Sequence, residues 1–413
     1  MTKTDTARWE SMFQRVKRSG IVLILWILII TLTASCSEPA TATVQPANYG
    51  DYGAETATHI ARTWPRRDAG SADEKAVADY IVSALTGMGY SPETQNFVYI
   101  DSNNIEYESQ NILVRIPGTG FVYEDAEEAE DESGVRLEGN RYFNREALIL
   151  ARMDTQAEED ILTPPVLSAQ DVRSDGIHDN ASGVGALLML ARHLRSRQLG
   201  YDVLLAFTGA GFKQAAGSQA LMHSMNDERV STIDVVYEIR AIYAGDKLYA
   251  HSGHNSLASD QRYRMRRKLY EMVDSASTSR VHRTTGVTLK TNQAGYLIPS
   301  DNANGDNLPA EVVFREITLN ESDYSVFDRA GIPIVMFESF EYDGDNPAAV
   351  RESFNPYYDQ TEHMVRGTGF DQIDIQAEIN GEDLLEERIN TVAFLILHAL
   401  NKGAPSGLPV NVG

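Results

Sequence analysis

The sequence predicts an α/β fold, a three-layer α/β/α sandwich around a mixed, largely parallel sheet. Two observations lead to this prediction. Short apolar runs rich in branched residues recur along the chain, and such runs are typical of buried strands. Longer segments with helical periodicity lie between them. Strands that alternate with helices favour a mainly parallel sheet with helices on both faces.

Four runs are predicted strands because each is short and nearly continuous in apolar residues. They are ALILARMD (147–154), DVLLAFTGA (202–210), IDVVYEI (233–239) and IPIVMFES (332–339). Three segments are predicted helices, at 75–88, 183–197 and 384–400. In the second of these, apolar residues recur from Val184 to Leu194 at the spacing of one buried helical face.

Composition excludes several classes of protein. The 413 residues are 42% hydrophobic and 23% charged, which are ordinary globular values, so the chain is not disordered throughout. There are 36 Lys and Arg against 59 Asp and Glu, giving a net charge of −23. A surface this acidic repels phosphate backbones, so we expect no nucleic-acid partner. The single cysteine excludes an internal disulfide and a Cys-rich metal site.

The amino terminus is predicted to be a signal peptide. Basic residues precede an apolar run at 21–32, which is short for a membrane span and fits the apolar core of a signal sequence. The small residues Ala34 and Ser35 come directly before Cys36, and this pattern resembles the lipobox of bacterial lipoproteins. The resemblance implies cleavage after residues 1–35 and a lipid on Cys36 that anchors the protein to a membrane. An uncleaved signal anchor is the alternative.

The rest of the chain is predicted to be a tethered domain. Residues 36–54 are mostly small and polar and predict a flexible tether, followed by one α/β domain at 55–403 and a tail at 404–413. The serine after Cys36 implies a place in the bacterial cell envelope, on the periplasmic side of the outer membrane if the source is Gram-negative.

Two charged segments stand out within the domain. The segment 123–133 has seven acidic residues in eleven and predicts a solvated, inserted loop. RYRMRRK (262–268) is a basic cluster in an acidic chain, and it predicts the exposed face of a helix that continues to Asp274. Contact with an anionic lipid surface is the alternative.

The sequence contains no nucleophile elbow, phosphate-binding loop or dinucleotide-binding motif. The most informative segment is IHDNASGVGALLMLARHL, which begins at Ile177 and in which an Asp-Asn-Ala-Ser-Gly turn opens a helix. This segment resembles the zinc aminopeptidase family that includes bacterial leucyl aminopeptidase and glutaminyl cyclase. Seven other segments resemble that family in the same order. They are ADYIVSALTGMGYSPETQNF, NILVRIPGTG, ALILARMDT, FTGAGFKQAAGS, VVYEIRAI, SDYSVFDRAGIPIV and FNPYYDQTEHM.

The resemblance implies a site for two zinc ions, but most of its ligand positions are changed in this chain. Members of the family hold the metals with two histidines, a bridging aspartate, a glutamate and a further aspartate, and a second glutamate is the general base. The resemblance places Asp179 at the bridging position and Glu238 at that of the further aspartate. The other positions are changed: Arg152 replaces the first histidine, Gly211 and Phe212 the two glutamates, and Asn355 the last histidine.

These changes argue against a metal site. A guanidinium group keeps its proton and cannot ligate zinc, and without the metals there is no activated water. We therefore expect no catalytic residue, no metal and no cofactor. Arg152, Asp154, Asp179 and Glu238 are predicted to line a shared cleft in which the guanidinium group takes the place of the lost cation. In the alternative, Arg152 reaches solvent.

Two further alternatives concern individual residues. Substitute zinc ligands would come from nearby histidines, namely His178, His251, His254 and His363. Asp179, Asn180 and Ser182 precede a helix, where side-chain oxygens can cap its free N–H groups without any catalytic role. Ser322 and Asp323 are predicted to begin another helix.

The function expected from these observations is that of a membrane-tethered, non-catalytic relative of zinc aminopeptidases with a cleft for a peptide or protein. Two alternatives stay open. One is a divergent metallopeptidase or cyclase that holds zinc through substituted ligands. The other is a purely structural lipoprotein whose cleft is filled.

Overall fold

The computed structural model describes residues 48–101, 104–123, 141–157, 160–165, 167, 174–257, 262–291, 293–298, 311–316, 322–342, 351–381 and 383–402. They all belong to one compact unit, Pro46–Gly413. The predicted signal peptide, Cys36, residues 124–133 of the acidic insert and the tail lie outside these residues. Within these ranges the structure contains no helix with the length and hydrophobicity of a membrane span.

The strands within these ranges are numbered in chain order. They are β1 (Glu93–Ile100), β2 (Glu106–Ile116), β3 (Phe121–Tyr123), β4 (Arg141–Phe143), β5 (Glu146–Arg152), β6 (Asp202–Thr208), β7 (Ile233–Ile239), β8 (Lys247–His251), β9 (Leu289–Lys290), β10 (Gln293–Ile298), β11 (Glu311–Glu316) and β12 (Ile334–Phe340).

The α-helices are numbered in the same way. They are α1 (Tyr52–Thr63), α2 (Ala72–Gly87), α3 (Ser182–Leu194), α4 (Ala216–His223), α5 (Asp227–Thr232), α6 (Arg262–Ser279), α7 (His282–Thr285), α8 (Ser325–Arg329), α9 (Ile373–Asn380) and α10 (Asp383–Lys402). The three helices predicted from periodicity are confirmed as α2, α3 and α10.

One sheet of eight strands organises the domain, in the order β1-β2-β6-β5-β7-β12-β8-β9. The four central strands, β6, β5, β7 and β12, run parallel to one another. They are the four strands predicted from apolar runs. The outer pairs β1–β2, β2–β6 and β12–β8 are antiparallel. The mixed sheet with a parallel centre is therefore confirmed.

The two faces of the sheet bury separate apolar cores. In β5, Ala147, Ile149 and Ala151 pack in the core that contains residues of α1, α2, α3 and α10. Leu148 and Leu150 pack on the opposite face with Leu221 of α4 and Phe327 of α8. Successive side chains of a strand point to opposite faces, so a strand buried on both sides is apolar throughout. This arrangement gives the predicted α/β/α sandwich.

The folded domain begins earlier than residue 55, which corrects the predicted end of the tether. Helix α1 starts at Tyr52, and the ring of Tyr49 stacks on His193 with the ring centroids 3.9 Å apart. Gly53 packs so tightly that a Cβ there would lie 2.5 Å from Cγ2 of Ile389. Small residues suit both a flexible tether and a close helix contact, so composition did not locate this boundary.

The basic segment 262–268 forms a helix as predicted, but it is not an exposed face. Arg264 is exposed, whereas Arg266 and Lys268 are buried. Nζ of Lys268 lies 2.9 Å from Oδ2 of Asp234, in β7. Lys268 therefore neutralises buried carboxylate charge inside the domain, and of the side chains that the structure describes in this segment only that of Arg264 is exposed.

Candidate functional site

The candidate site lies where the central parallel strands end. Arg152 is the last residue of β5, Arg240 directly follows β7, and the turn 209–215 follows β6. The carboxyl ends of parallel strands meet at one edge of a sheet, so these segments come together. Asp179 reaches the same place from the segment that precedes α3, through its contacts with Arg152 and Arg240.

The segment that carries Asp179 is fixed through its backbone. The buried carboxylate of Asp371 accepts hydrogen bonds from the N–H groups of His178 and Asp179, at 2.7 and 3.1 Å. The guanidinium group of Arg67, which is fully buried, donates to the carbonyl oxygens of Asp175 and Gly176, at 2.9 and 3.1 Å. These bonds to the backbone fix the position of Asp179 independently of the contacts that its side chain makes in the site.

Arg152 and Asp179 form a buried ion pair. Nη2 of Arg152 lies 2.6 Å from Oδ1 and 2.7 Å from Oδ2 of Asp179, and the two side chains are 4% and 2% exposed. The ring of Phe212 covers the guanidinium group, with its centroid 3.8 Å from Cζ, in a cation–π contact. Burial alone would raise the pKa of Asp179, but the positive charges of Arg152, Arg240 and Arg366 hold it well below its usual range.

The structure places Arg240, and not Glu238, beside Asp179. Nη2 of Arg240 lies 3.9 Å from Oδ2 of Asp179. The buried carboxylate of Glu238 instead accepts hydrogen bonds from the hydroxyl of Ser322 and the N–H of Tyr324, at 2.8 and 2.9 Å. Glu238, predicted to line the same cleft as Asp179, is held by hydrogen bonds from the segment that precedes α8, and Arg240 is the residue after β7 that contacts Asp179.

Asp154 shapes the turn after β6. Its two carboxylate oxygens accept hydrogen bonds from the N–H groups of Gly211 and Phe212, at 2.9 and 3.0 Å. Burial raises the pKa of Asp154 to about 6, although Arg152 acts in the opposite direction. Asp154 is thus committed to the backbone of this turn.

Gly211 has no side chain, and this leaves room for the side chain of Arg152. A Cβ at Gly211 would lie 2.8 Å from Cδ of Arg152 and 3.0 Å from Oδ2 of Asp323. Contacts below 3.0 Å do not occur in unstrained structures, so the Arg152 side chain occupies the space that any larger residue at 211 would need. The two changes from the family pattern fit each other sterically.

Asn355 has a local structural role. Its side-chain oxygen accepts a hydrogen bond from the N–H of Tyr357, at 3.0 Å, and so caps the short 3₁₀-helix Pro356–Thr361. The same part of the chain supplies Arg366, whose positive charge helps to lower the pKa of Asp179. Nη2 of Arg366 lies 3.1 Å from Oε2 of Glu338.

The capping interpretation of residues 179–182 is wrong. The N-cap residue of α3 is Ala181, which makes no side-chain capping bond. Asn180 donates to the carbonyl oxygen of Ile239 at 3.0 Å and accepts from the N–H of Ala241 at 2.8 Å. Ser182 donates to the carbonyl oxygen of His178 at 2.8 Å. The polar side chains of this segment therefore connect it to the end of β7 rather than satisfy the helix start.

The predicted helix near Ser322 begins later. Helix α8 starts at Ser325, and Asp323 lies in the turn before it. Oδ1 of Asp323 accepts hydrogen bonds from the hydroxyls of Thr208 and Ser218, at 2.9 and 2.7 Å. Asp323 therefore joins α8 to the end of β6 and to α4.

Sequence reasoning missed a buried chain of charged and polar side chains beside the site. In this buried charge chain, Arg366 bridges the carboxylates of Glu352 and Glu338, and each carboxylate contacts a histidine. Nε2 of His178 lies 3.0 Å from Glu352, and Nε2 of His251 lies 2.9 Å from Glu338. These residues come from four separate segments, so no local pattern reveals the chain.

The histidines proposed as substitute ligands do not converge on a metal. Nδ1 of His178 accepts a hydrogen bond from the N–H of Ala244 at 3.1 Å, so both of its ring nitrogens have partners. His254 is exposed, and His363 lies 3.4 Å from Asp359. Within the described part of the chain, no group of three or more His, Cys, Asp or Glu residues has the arrangement of a metal site. With Asp179 already paired to Arg152, the residues present do not fit a zinc pair.

A cavity of about 460 Å³ opens beside the ion pair. Three arginines line it, Arg152, Arg240 and Arg329, together with Phe212 and Ser322. Among the described residues, no Asp or Glu lines this cavity. We call it the arginine cavity, and its walls present positive charge and hydrogen-bond donors.

Comparisons with known proteins agree with this architecture. A sequence model of peptidase family M28 matches residues 135–368. The alkaline phosphatase isozyme conversion protein of Escherichia coli (strain K12) is 24% identical over 343 residues, which cover 81% of this chain and 83% of that protein.

Solved structures show the same fold. The zinc aminopeptidase from Bacillus subtilis superposes with a TM-score of 0.54 at 13% identity, covering 86% of this chain and 96% of that one. For the glutaminyl cyclase of Porphyromonas gingivalis the TM-score is 0.53 at 15% identity, covering 84% and 96%. The α/β fold and the resemblance inferred from the sequence motifs are confirmed.

Proposed function

The chain belongs to peptidase family M28, and we propose that it is a non-catalytic member of this family that binds a peptide or protein in its cleft. The observation that carries the proposal is the buried pair of Arg152 and Asp179, with nitrogen–oxygen distances of 2.6 and 2.7 Å. A protonated guanidinium group cannot donate electrons to zinc, and here it takes the carboxylate that would bridge two metals.

The other contacts around the pair support the same conclusion. Asp154 is bonded to the turn at Gly211, and Glu238 is bonded to Ser322 and Tyr324. These carboxylates have structural partners in place of metals. The arginine cavity next to them leaves open space in the cleft, which favours binding of a ligand over a purely structural role with a filled cleft.

Metal analysis of the purified mature domain, together with an aminopeptidase and a glutaminyl cyclase assay, tests the absence of catalysis. We expect neither stoichiometric zinc nor turnover after dialysis against zinc. The Bacillus subtilis zinc aminopeptidase, treated identically, is the positive control. Zinc near two equivalents per chain, accompanied by turnover, would favour the alternative of a divergent metallopeptidase or cyclase.

We also propose that the protein is held at the membrane of the bacterial cell envelope by a lipid on Cys36. The support is the lipobox-like sequence around the only cysteine of the chain. Cys36→Ser should abolish incorporation of labelled fatty acid and move the protein out of the membrane fraction or leave it unprocessed. Unchanged acylation and membrane association of this variant would contradict the anchor.

A further inference from the structure

We propose that the arginine cavity is a carboxylate-binding pocket, so that the bound peptide is recognised through a carboxylate group. This inference rests on the proposed peptide-binding function and specifies the chemistry of the ligand. In this arrangement the guanidinium groups of Arg152 and Arg240 receive the anion, while the peptide chain leaves the cavity along the neighbouring groove.

Unused hydrogen-bond donors support an anionic ligand. The Nε atoms of Arg152 and Arg240 are buried and have no acceptor among the described residues. The two residues are only 4% and 9% exposed. Buried polar groups are almost always hydrogen-bonded, and both arginines line the cavity, so these unpaired donors beside it favour a ligand that accepts hydrogen bonds. Arginine presents its donors in a planar fork that matches a carboxylate.

The local charge favours a monoanion. Of the three cationic side chains that line the cavity, Arg152 and Arg240 share the charge of Asp179. The carboxylates of Asp154 and Asp323 lie close to Arg152 but do not line the cavity, since both are buried, with Asp154 bonded to the turn at Gly211 and Asp323 bonded to Thr208 and Ser218. The carboxylates of Asp154, Asp179, Asp323 and Glu238 largely balance the charges of Arg152 and Arg240, and the whole chain carries −23. A ligand with a single carboxylate is therefore favoured over a polyanion, which would be repelled.

A groove that adjoins the cavity provides room for the rest of a peptide. This groove, of about 980 Å³, shares Phe212, Gln214 and Gln219 with the arginine cavity. It is also lined by Val98 and Ile100 of β1, whose side chains are 58% and 62% exposed.

The strand that borders the groove is suited to an extended chain. β1 is the first strand in the sheet order, so its outer edge has no neighbouring strand among the described residues. An extended peptide can add to an open strand edge through its main chain while side chains occupy adjacent pockets. A peptide in the groove would thus lie between this edge and the cavity that holds its carboxylate.

A peptide-binding experiment tests the inference. Three synthetic pools of hexapeptides of mixed sequence are passed over the immobilised mature protein. The first pool has a free terminal carboxylate and no acidic side chains. The second has the same sequences as terminal amides, and the third is amidated but contains one glutamate. We expect mass spectrometry to find the first pool retained at least about tenfold more than the second, the effect of one charge-assisted hydrogen-bonded pair. Retention of the third pool above the second would identify an acidic side chain as a source of the carboxylate.

The variant Arg240→Gln should reduce retention of the free-acid pool to that of the amide pool. Arg264→Gln, at an exposed position of α6, is the matched control and should leave retention unchanged. Circular dichroism and thermal unfolding establish that both variants are folded. Equal retention of all three pools by the wild type would overturn the carboxylate pocket and leave peptide binding standing. Retention of no pool would contradict both proposals.

Discussion

The guanidinium group of Arg152 contacts a carboxylate at its edge and an aromatic ring on its face. Its Nη2 reaches both oxygens of Asp179, and the ring of Phe212 lies 3.8 Å from its Cζ. Transfer of an isolated charge from water to a protein interior is costly, so a buried ion pair persists only when both partners are present and well placed. Removal of either partner therefore leaves an uncompensated charge.

Arg152→Ala should lower the free energy of unfolding by about 3–5 kcal/mol, the loss expected when one partner of a buried pair is removed. Urea unfolding at neutral pH measures the loss. Lys75→Ala is the control, because Lys75 forms an exposed pair with Asp79, and its loss should be about 0–1 kcal/mol. A loss under about 1 kcal/mol for Arg152→Ala would show that Arg152 does not act as a substitute cation.

Gly211→Glu should restore no peptidase activity and should lower the free energy of unfolding by about 1–3 kcal/mol through overpacking against Arg152. Gly87→Glu is the matched control, because a Cβ at Gly87 would meet nothing within 4 Å. Thermal unfolding and a zinc-supplemented peptidase assay measure the two effects. Zinc-dependent turnover by Gly211→Glu would mean that other residues already hold a metal.

Helix α6 carries basic side chains that are buried inside the domain. Arg266 and Lys268 are buried along a helix that also carries the buried residues Met265 and Leu269. Lys268 contacts Asp234, and Arg267 lies 3.4 Å from the same carboxylate. The stem of a lysine side chain is apolar, so it can pack in a core while the ammonium group reaches a buried acid.

Lys268→Met should therefore lower the free energy of unfolding by about 3 kcal/mol, because it removes a buried ammonium group 2.9 Å from Asp234 and leaves Arg267, at 3.4 Å, as the cation beside that carboxylate. Arg264→Met, on the exposed side of the same helix, should change it by less than about 0.5 kcal/mol. Urea unfolding of both variants provides the comparison. Equal small effects would indicate that the basic segment is an exposed face after all.

At the scale of the whole domain, several buried carboxyl groups among the described residues have shifted pKa values, and the shifts have opposite directions in two sets. Burial raises the pKa of Glu74 and Glu238 to about 7 and that of Asp154 to about 6. Glu338 and Glu352 are also buried, but Arg366 outweighs burial and lowers their pKa, to about 2 for Glu352.

A group with a raised pKa binds its proton more tightly in the folded state, so its contribution to stability is full below its ordinary value and is lost as pH rises through 6 to 7. A group with a lowered pKa contributes above its ordinary value, and this contribution is lost as pH falls. We therefore expect the free energy of unfolding to decrease as pH rises from about 5 to about 8. It should also decrease when pH is lowered into strong acid.

Urea unfolding across this pH range at constant ionic strength measures both slopes. Glu238→Gln should flatten the decline between about pH 5 and pH 8, because it removes one of the groups that lose a proton there. Glu93→Gln, at a largely exposed side chain, should leave the decline unchanged. A free energy of unfolding that rises steadily through this range would contradict the prediction.

The sequence by itself determined the fold class and showed which ligand positions of the family pattern are changed. Central strands are buried on both faces, so β5, β6, β7 and β12 are continuous apolar runs that can be recognised locally. The replacements Arg152, Gly211 and Phe212 are likewise visible in single motifs. The relevant information lies within a few neighbouring residues in each case.

Only the tertiary structure decided which charges meet. It placed Arg240 beside Asp179, turned Lys268 towards Asp234, and assembled the buried charge chain in which His178 and Glu352 are separated by 174 positions. Charged residues have no periodic pattern that encodes their partners, and each contact depends on how strand ends and loops pack together in space. The physical reason is that secondary structure follows from local spacing, whereas electrostatic pairing follows from distances that only the folded chain defines.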